Sequence, residues 1–425
     1  MKKYILFALA LVFSLNVFPQ KFSDHFGNKT LRLDYIFSGN ATNQIVSIRD
    51  IKQLPQWAGR RVNLDSLHLK GNGQIVVRDA ATNKIIYKEA FSTLFQEWLT
   101  TPESREISKA FENTFLVPFP LERVSIEVLF RKRDGTYELK YSQEVDPDDI
   151  LIKKVDNGEL PVYSYIHKGC EIEKAINVVF VAEGYTADEM TKFREHSNVA
   201  CGQILGHEPF GRLKDKFNFI AVETLSKDSG VSVPRERQWK ETIIGSHFDT
   251  FYSERYLTTS RVFALHDVLA GIPYAHIIIL ANTDVYGGGG IFNAYTLTTT
   301  GHAAFKPVVV HEFGHSFAGL ADEYFYIGDT FDNTYPLDVE PWEANITTLR
   351  DFDSKWKSQL APNTPVPTDI NQAHKYSVGV YEGAGYSPKG IYRPVDDCRM
   401  KTNTCTAFCP VCQRAIADLV KFYTE

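Results

Sequence analysis

The run VVVHEFGHSFAG, residues 308–319, constrains this chain more than any other stretch. It is apolar enough to be a buried helix, yet it carries two histidines and a glutamate. Pro307 suits the first turn of such a helix, where its missing N–H costs nothing. His311 and His315 are then one helical turn apart, on one face, with Cβ atoms about 5–6 Å from each other. Two imidazoles placed that way can chelate one zinc ion without straining the backbone. Glu312 sits one position round the helix, where it reaches a water at the metal better than it reaches the metal itself. Three valines precede the motif, and Phe313 and Phe317 flank it. Buried histidines and carboxylates are costly without partners, which argues against a chance match on an exposed helix. The motif therefore points to a zinc hydrolase of peptide bonds with Glu312 as general base.

Such an ion needs a third protein ligand and one open position. Gly319 can end the helix in a left-handed conformation and turn the chain back toward the histidines. Metzincin peptidases carry HExxHxxGxxH or D, and this sequence resembles that pattern, with one extra residue between His315 and the glycine. Asp322 keeps the spacing from the glycine and is the favoured third ligand. Glu323, with its longer reach, is the alternative. A more distant glutamate such as Glu340, Glu343 or Glu382 would instead make a gluzincin-like site. Met400 is one of only three methionines and is followed by a closing helix from Pro410 to Tyr423. It resembles the methionine turn that lies beneath the zinc of metzincins. Two positions further on some metzincins have a tyrosine, but here the residue is Thr402. Tyr324, Tyr386 and Tyr392 are left as candidates for oxyanion or substrate contact. His302 and His374 read as ordinary surface or core histidines.

With 425 residues the chain has room for two or three domains. A net charge of −6 gives no electrostatic footprint for a general nucleic-acid binder. Residues 1–20 read as a secretory signal peptide: Lys2 and Lys3, then a nearly unbroken apolar run from Tyr4 to Phe18, then Pro19 and Gln20. That run is short for a spanning helix, so the expectation is export, to the periplasm, cell surface or medium, with no transmembrane segment after signal removal. Outside the cytosol an even number of cysteines suggests pairing. Cys398, Cys405, Cys409 and Cys412 crowd one region and are expected to form disulfides, in preference to a four-cysteine zinc knot. Cys170 and Cys201 stand apart.

Residues 21–150 read as an all-β, sandwich-like domain. Leu31 to Phe37 alternates apolar and polar residues, Gln74 to Arg78 and Lys84 to Lys88 flank a turn, and Val124 to Phe130 and Tyr137 to Tyr141 flank Asp134 and Gly135. A linker is expected at 151–165, after the proline-broken charged stretch from Val145 to Asp149. Residues 166–425 read as an α/β domain carrying the zinc motif. Ile176 to Ala182 is continuously apolar, as a strand buried on both faces must be. Thr186 and Glu189 form a capping box for a helix running to about Leu205. Phe217 to Val222 and His276 to Ala281 are further buried strands. The glycines at 287–290 allow close backbone approach, and the strand after them reads either as an exposed sheet edge that could receive a peptide or as part of a flexible loop.

Together, HEFGHSFAGLADEY at 311–324, YEGAGY at 381–386, GIYRP at 390–394, CRM at 398–400 and FCPVC at 408–412 resemble the bacterial IgA-specific metallopeptidase family. The likeness spans roughly residues 165–425, and the β domain resembles the N-terminal domain of bacterial members. The resemblance implies a metzincin-like zinc endopeptidase fold, one Zn2+, and a protein or peptide substrate, with a host glycoprotein among the candidates. A reading of another class is a surface protein that binds a host glycoprotein or glycan on a catalytically silent zinc fold. The intact Glu312 speaks against it.

Overall fold

A computed structural model of the chain describes residues 20–155, 160–325 and 334–425. Residues 1–19, the body of the expected signal peptide, lie outside them. The N-terminal part comprises α1 (Phe22–His25), β1 (Phe26–Gly39), β2 (Gln44–Leu54), β3 (Gly73–Asp79), β4 (Ile85–Phe91), α2 (Leu94–Trp98), β5 (Lys109–Pro120), β6 (Val124–Arg131), β7 (Tyr137–Val145) and the short β8 (Lys153–Lys154). The strands form two sheets, ordered β5-β1-β2-β8 and β4-β3-β6-β7. Both expected hairpins are present, as antiparallel β3/β4 and β6/β7. In the second, Gly135 takes φ +83°, the positive angle the tight turn requires.

Alternation explains how the sheets join. Leu31, Leu33, Tyr35 and Phe37 of β1 share one core with Ile75 and Val77 of β3 and with Ile126, Val128 and Phe130 of β6. The two sheets therefore sandwich a single apolar layer. Within the expected linker at 151–165, residues 156–159 lie outside the described residues, and the described residues on either side already belong to the two domains. Ile152 belongs to this core, Lys153–Lys154 pairs in parallel with β2, and a strand of the second domain already begins at Val162. Lysines at 153 and 154 hid that short strand in the sequence.

The C-terminal part continues with β9 (Val162–Lys168), β10 (Ile176–Glu183), α3 (Met190–Leu205), β11 (Phe217–Glu223), α4 (Val262–Val268), β12 (His276–Ala281), β13 (Gly288–Ile291), β14 (Tyr295–Thr299), α5 (Phe305–Ala318), β15 (Tyr381–Ala384), β16 (Ser387–Arg393) and α6 (Pro410–Thr424). Its main sheet is ordered β13-β14-β12-β10-β11-β9. The four central strands are parallel, and the two edge strands run antiparallel to them. The unbroken apolar character of β10 has its cause here. Val178, Phe180 and Ala182 face a core built with α3, α5 and α6, while Val179 and Val181 face a second core closed by α4 and the segment around Val231 to Leu257. Helix α3 ends at Leu205, and the Glu189 carboxylate accepts from the Thr186 backbone N–H at 3.0 Å, one arm of the expected capping box.

The strand after the glycines, β14, is not an exposed edge. It is wholly buried between β12 and β13. The glycines themselves form the edge strand, and at Gly288 its outer side is taken: Gly288 N–H donates to Arg255 O at 3.3 Å and Leu257 N–H to Gly288 O at 3.4 Å.

The outward face of β1 explains why Arg32 and Asp34 interrupt an apolar strand. Both are buried against α4. Arg32 Nε lies 2.8 Å from Asp34, and its Nη1 lies 2.7 Å from Asp267 of α4. Lys52 of β2 lies 3.2 Å from Asp34 and 3.0 Å from Asp267. This network fixes the sandwich to the second domain. Asp34→Ala leaves the buried Arg32 guanidinium without its buried carboxylate partner, with only the half-exposed Asp267 remaining, and unfolding in urea is expected to show a loss of about 3–5 kcal/mol. An unchanged midpoint would show that the network carries none of the domain contact.

Candidate active site

Helix α5 is reached closely from two sides because glycines clear the way. A side-chain carbon at Gly290 of β13 would lie 2.4 Å from the Glu312 carbonyl oxygen and 2.8 Å from His315 Cβ; one at Gly288 would lie 2.8 Å from Glu312 Oε1. The glycine run is therefore what lets the sheet edge lie against the motif. On the other side, a carbon at Gly314 would meet Met400 Sδ at 2.7 Å. Met400 is buried and packs on the helix backbone between the two histidines. It lies in a tight turn closed by the Lys401 and Thr402 N–H groups on the Cys398 carbonyl, at 2.9 and 3.0 Å.

The helix ends as the sequence suggests. Gly319 has φ +57°, its N–H donates to His315 O at 2.9 Å, and Leu320 N–H donates to Gly314 O at 3.1 Å. The reversal also orients the imidazoles. His315 Nδ1 lies 2.5 Å from Leu320 O, and His311 Nδ1 lies 2.9 Å from Arg399 O. A carbonyl only accepts, so each Nδ1 carries the proton and each Nε2 is left as a ligand atom.

Those two Nε2 atoms are 3.0 Å apart, and Asp322 Oδ1 lies 3.1 Å from one and 3.3 Å from the other. A tetrahedral ion with bonds of about 2.0–2.1 Å holds its ligand atoms about 3.3 Å apart. The three atoms lie within 4.8 Å of one another, as a metal site requires. Asp322 Oδ1 is buried with no partner other than these nitrogens, and Oδ2 accepts from Tyr386 Oη. The residues fit a divalent cation.

Charge at the site follows from burial and closeness. Burial lowers the proton affinity of His315, but Asp322 and Glu312 more than reverse it and raise its pKa to about 9. Burial would raise Asp322, but His315 and His311 hold it far below the usual carboxylate range. Glu312 is raised, because burial outweighs the pull of the two histidines.

The structure brings Asp322, and not Glu323, to the histidines. Glu323 turns the opposite way, accepting from Asn345 Nδ2 at 2.9 Å and facing Cys412 Sγ at 3.2 Å. Gly385 N–H donates to Asp322 O and Glu323 N–H donates to Met400 O, and these backbone bonds hold the two side chains toward different neighbours, so only one of the pair can serve. Glu340, Glu343 and Glu382 are engaged elsewhere, with Thr348, Tyr335 and the Gly390 N–H respectively. Tyr386 and Tyr324 do gather at Asp322, their rings 5.6 Å apart. Tyr392 does not: it sits on β16 opposite Glu382, with its backbone bonded to Thr347. His302 accepts the Ala304 N–H at 3.1 Å at the start of α5, and His374 is on the exposed side of a short turn of 3-10 helix.

No disulfide is present; all the cysteines are free. Cys398 Sγ and Cys412 Sγ are 3.9 Å apart, beyond the ~2.05 Å of a disulfide. Cys405 Sγ turns away to the Ala407 carbonyl at 3.4 Å.

Two groups at the site carry no sequence signal. Arg255, from the loop that bridges β13, lies over the Tyr324 ring at 5.8 Å and acts on Glu312. Glu97 comes from α2 of the sandwich domain and accepts from Tyr256 Oη. Burial raises Glu97 to about 7, and His315, Glu312 and Asp322 all lie near enough to influence it. The sandwich domain thus contributes a titrating carboxyl beside the site.

A family model described as IgA Peptidase M64 matches residues 165–376 and 369–420, and one described as Peptidase M64 N-terminus matches residues 21–142. No curated protein matches the chain.

With a pKa of about 9, His315 holds a second proton at neutral pH in the metal-free protein, and metal uptake must displace it. Affinity measured by chelator competition is expected to rise about tenfold per pH unit until pH approaches that pKa, with proton release in calorimetry. A pH-independent affinity across the neutral range would contradict this charge assignment. Tyr386→Phe removes the hydrogen bond to Asp322 Oδ2 and is expected to weaken metal binding about 10–100-fold. Undiminished affinity in that variant would mean that Tyr386 does not orient the carboxylate.

Proposed function

The chain belongs to the IgA peptidase M64 family, and from that premise we propose that it is an exported zinc endopeptidase in which His311, His315 and Asp322 hold the metal and Glu312 is the general base. Family membership makes the chain a metallopeptidase, and a peptidase acts on protein or peptide substrates. The observation that carries the finer reading is the convergence of two Nδ1-locked imidazoles and an orphaned carboxylate oxygen on one point.

Two nitrogens and one carboxylate oxygen are a zinc donor set, and three protein ligands leave the fourth position for chemistry. When bound, zinc supplies Lewis acidity to a water and to a peptide carbonyl. Glu312 accepts a proton from the attacking water and returns it to the leaving amine. Its raised proton affinity suits both halves of that task. Arg255, which acts on Glu312 and lies over the Tyr324 ring, and Tyr324 are the candidate donors to a developing oxyanion. The glycine turn at 319 and the methionine turn at 400 support a metzincin-like arrangement. The residue extra to the metzincin spacing is absorbed by α5, which runs on to Ala318 before Gly319 turns the chain.

The signal-like start at Lys2 to Phe18 supports export. Among the described residues no helix is long and apolar enough to cross a membrane.

Glu312→Gln keeps the metal ligands and removes the base. Hydrolysis of a quenched peptide library is expected to fall by about 10²–10⁴-fold in kcat/KM, with metal content unchanged. Near-normal turnover in that variant would sink the mechanism.

A further inference from the structure

A second cluster of ligand-type side chains lies on the far side of the Asp322–Glu323 pair. Glu323, Cys398, Cys409 and Cys412 are all buried, and one ligand atom from each lies within 4.8 Å of the others. Three separate elements supply them: the return loop after α5, the methionine turn, and the first turn of α6. Glu323 Oε2 is buried without a hydrogen-bond partner. A carboxylate placed among thiols in an apolar core, with an orphaned oxygen, is costly unless a proton or a cation joins it, and the four ligand-type atoms gathered here suit the cation.

The distances are those of a coordination shell. In a tetrahedron with Zn–S bonds of about 2.3 Å, sulfur atoms lie about 3.8 Å apart. Cys398 Sγ and Cys412 Sγ are 3.9 Å apart, and Cys412 Sγ is 3.2 Å from Glu323 Oε1. The backbone is arranged for thiolates as well. Cys409 N–H points at Cys398 Sγ at 3.2 Å, and Cys412 N–H at Cys409 Sγ at 3.4 Å. Cys409 caps the N-terminus of α6, where the helix dipole favours negative charge.

We propose that Glu323, Cys398, Cys409 and Cys412 form a second, closed metal site that holds a structural zinc ion. On binding, each thiol gives up its proton to solvent, and four protein ligands leave no position for water or substrate. The ion ties the Asp322 loop to the Met400 turn, which are already joined by the Glu323 N–H to Met400 O hydrogen bond of 2.9 Å. It also gives three buried thiols of an exported chain a stable state other than oxidation. The site stands apart from the catalytic reading: it shares no ligand with the histidine group and does not depend on it.

The test is zinc content together with zinc-edge X-ray absorption on the purified mature protein, beside a His311→Ala/His315→Ala variant and a Cys412→Ser variant. Wild type is expected to hold about two zinc ions per chain with a mixed shell that includes sulfur at about 2.3 Å. The histidine variant should keep about one ion, with sulfur dominating its shell. The Cys412→Ser variant should keep about one ion, bound only by nitrogen and oxygen. A wild-type protein with no sulfur-bound zinc overturns the proposal, whatever the variants do. So does a disulfide among Cys398, Cys409 and Cys412, seen by non-reducing mass spectrometry. If sulfur-bound zinc is present and nitrogen-bound zinc is missing, the catalytic reading fails and this one stands. Should either variant not fold, the wild-type spectrum alone decides.

Discussion

Three ligand atoms, His311 Nε2, His315 Nε2 and Asp322 Oδ1, are held 3.0, 3.1 and 3.3 Å from one another in a place largely shut off from water. Lone pairs at that spacing repel unless a proton or a cation lies among them. The surrounding structure prevents the group from relaxing. The Arg399 and Leu320 carbonyls fix the rings, and Tyr386 fixes the carboxylate. The charge shifts have the same origin. His315 is raised and Asp322 lowered because each compensates the other where burial penalises both. A metal ion at this point would replace that proton with a stronger partner.

Packing that brings other elements to this group depends on missing side chains. Gly288 and Gly290 let an edge strand lie against the motif, and Gly314 lets Met400 seat on the helix. The Met400 turn then supplies the carbonyl that holds His311 through its neighbour Arg399. One peptide further along the return loop, the chain alternates. Asp322 faces the histidines, and Glu323 faces the thiols. Two neighbouring residues of one loop thus face two clusters that share no side chain.

Much of this was legible in the sequence, for reasons that are local. The helix, its two histidines, Gly319 and the closing helix depend on spacing within one element, which period and turn chemistry report directly. The double-sided burial of β10 and both sandwich hairpins were legible for the same reason. What was not legible depends on contacts between distant segments. Asp322 and Glu323 are both carboxylates within reach of the histidines, and only the backbone direction separates them. The cysteines are free where an even count in a chain with a signal-like start favours disulfides, and three of them meet a glutamate about 75 to 89 residues upstream, which no local pattern reports. Glu97 lies in a short helix of the β domain, where no periodicity or motif marks it. Arg255 lies in a loop whose pairing with Gly288 no local pattern reveals. Two lysines hid β8 inside the expected linker.

At the centre of the proposed function is a zinc ion held by His311, His315 and Asp322. Anomalous diffraction collected on either side of the zinc edge, from crystals of the mature protein, tests it most directly. The expected result is a zinc-specific peak within bonding distance of both Nε2 atoms and of Asp322 Oδ1, with Glu323 on the far side of the loop. No zinc signal at that point in protein supplied with zinc, or a peak bound by a different carboxylate, would contradict it.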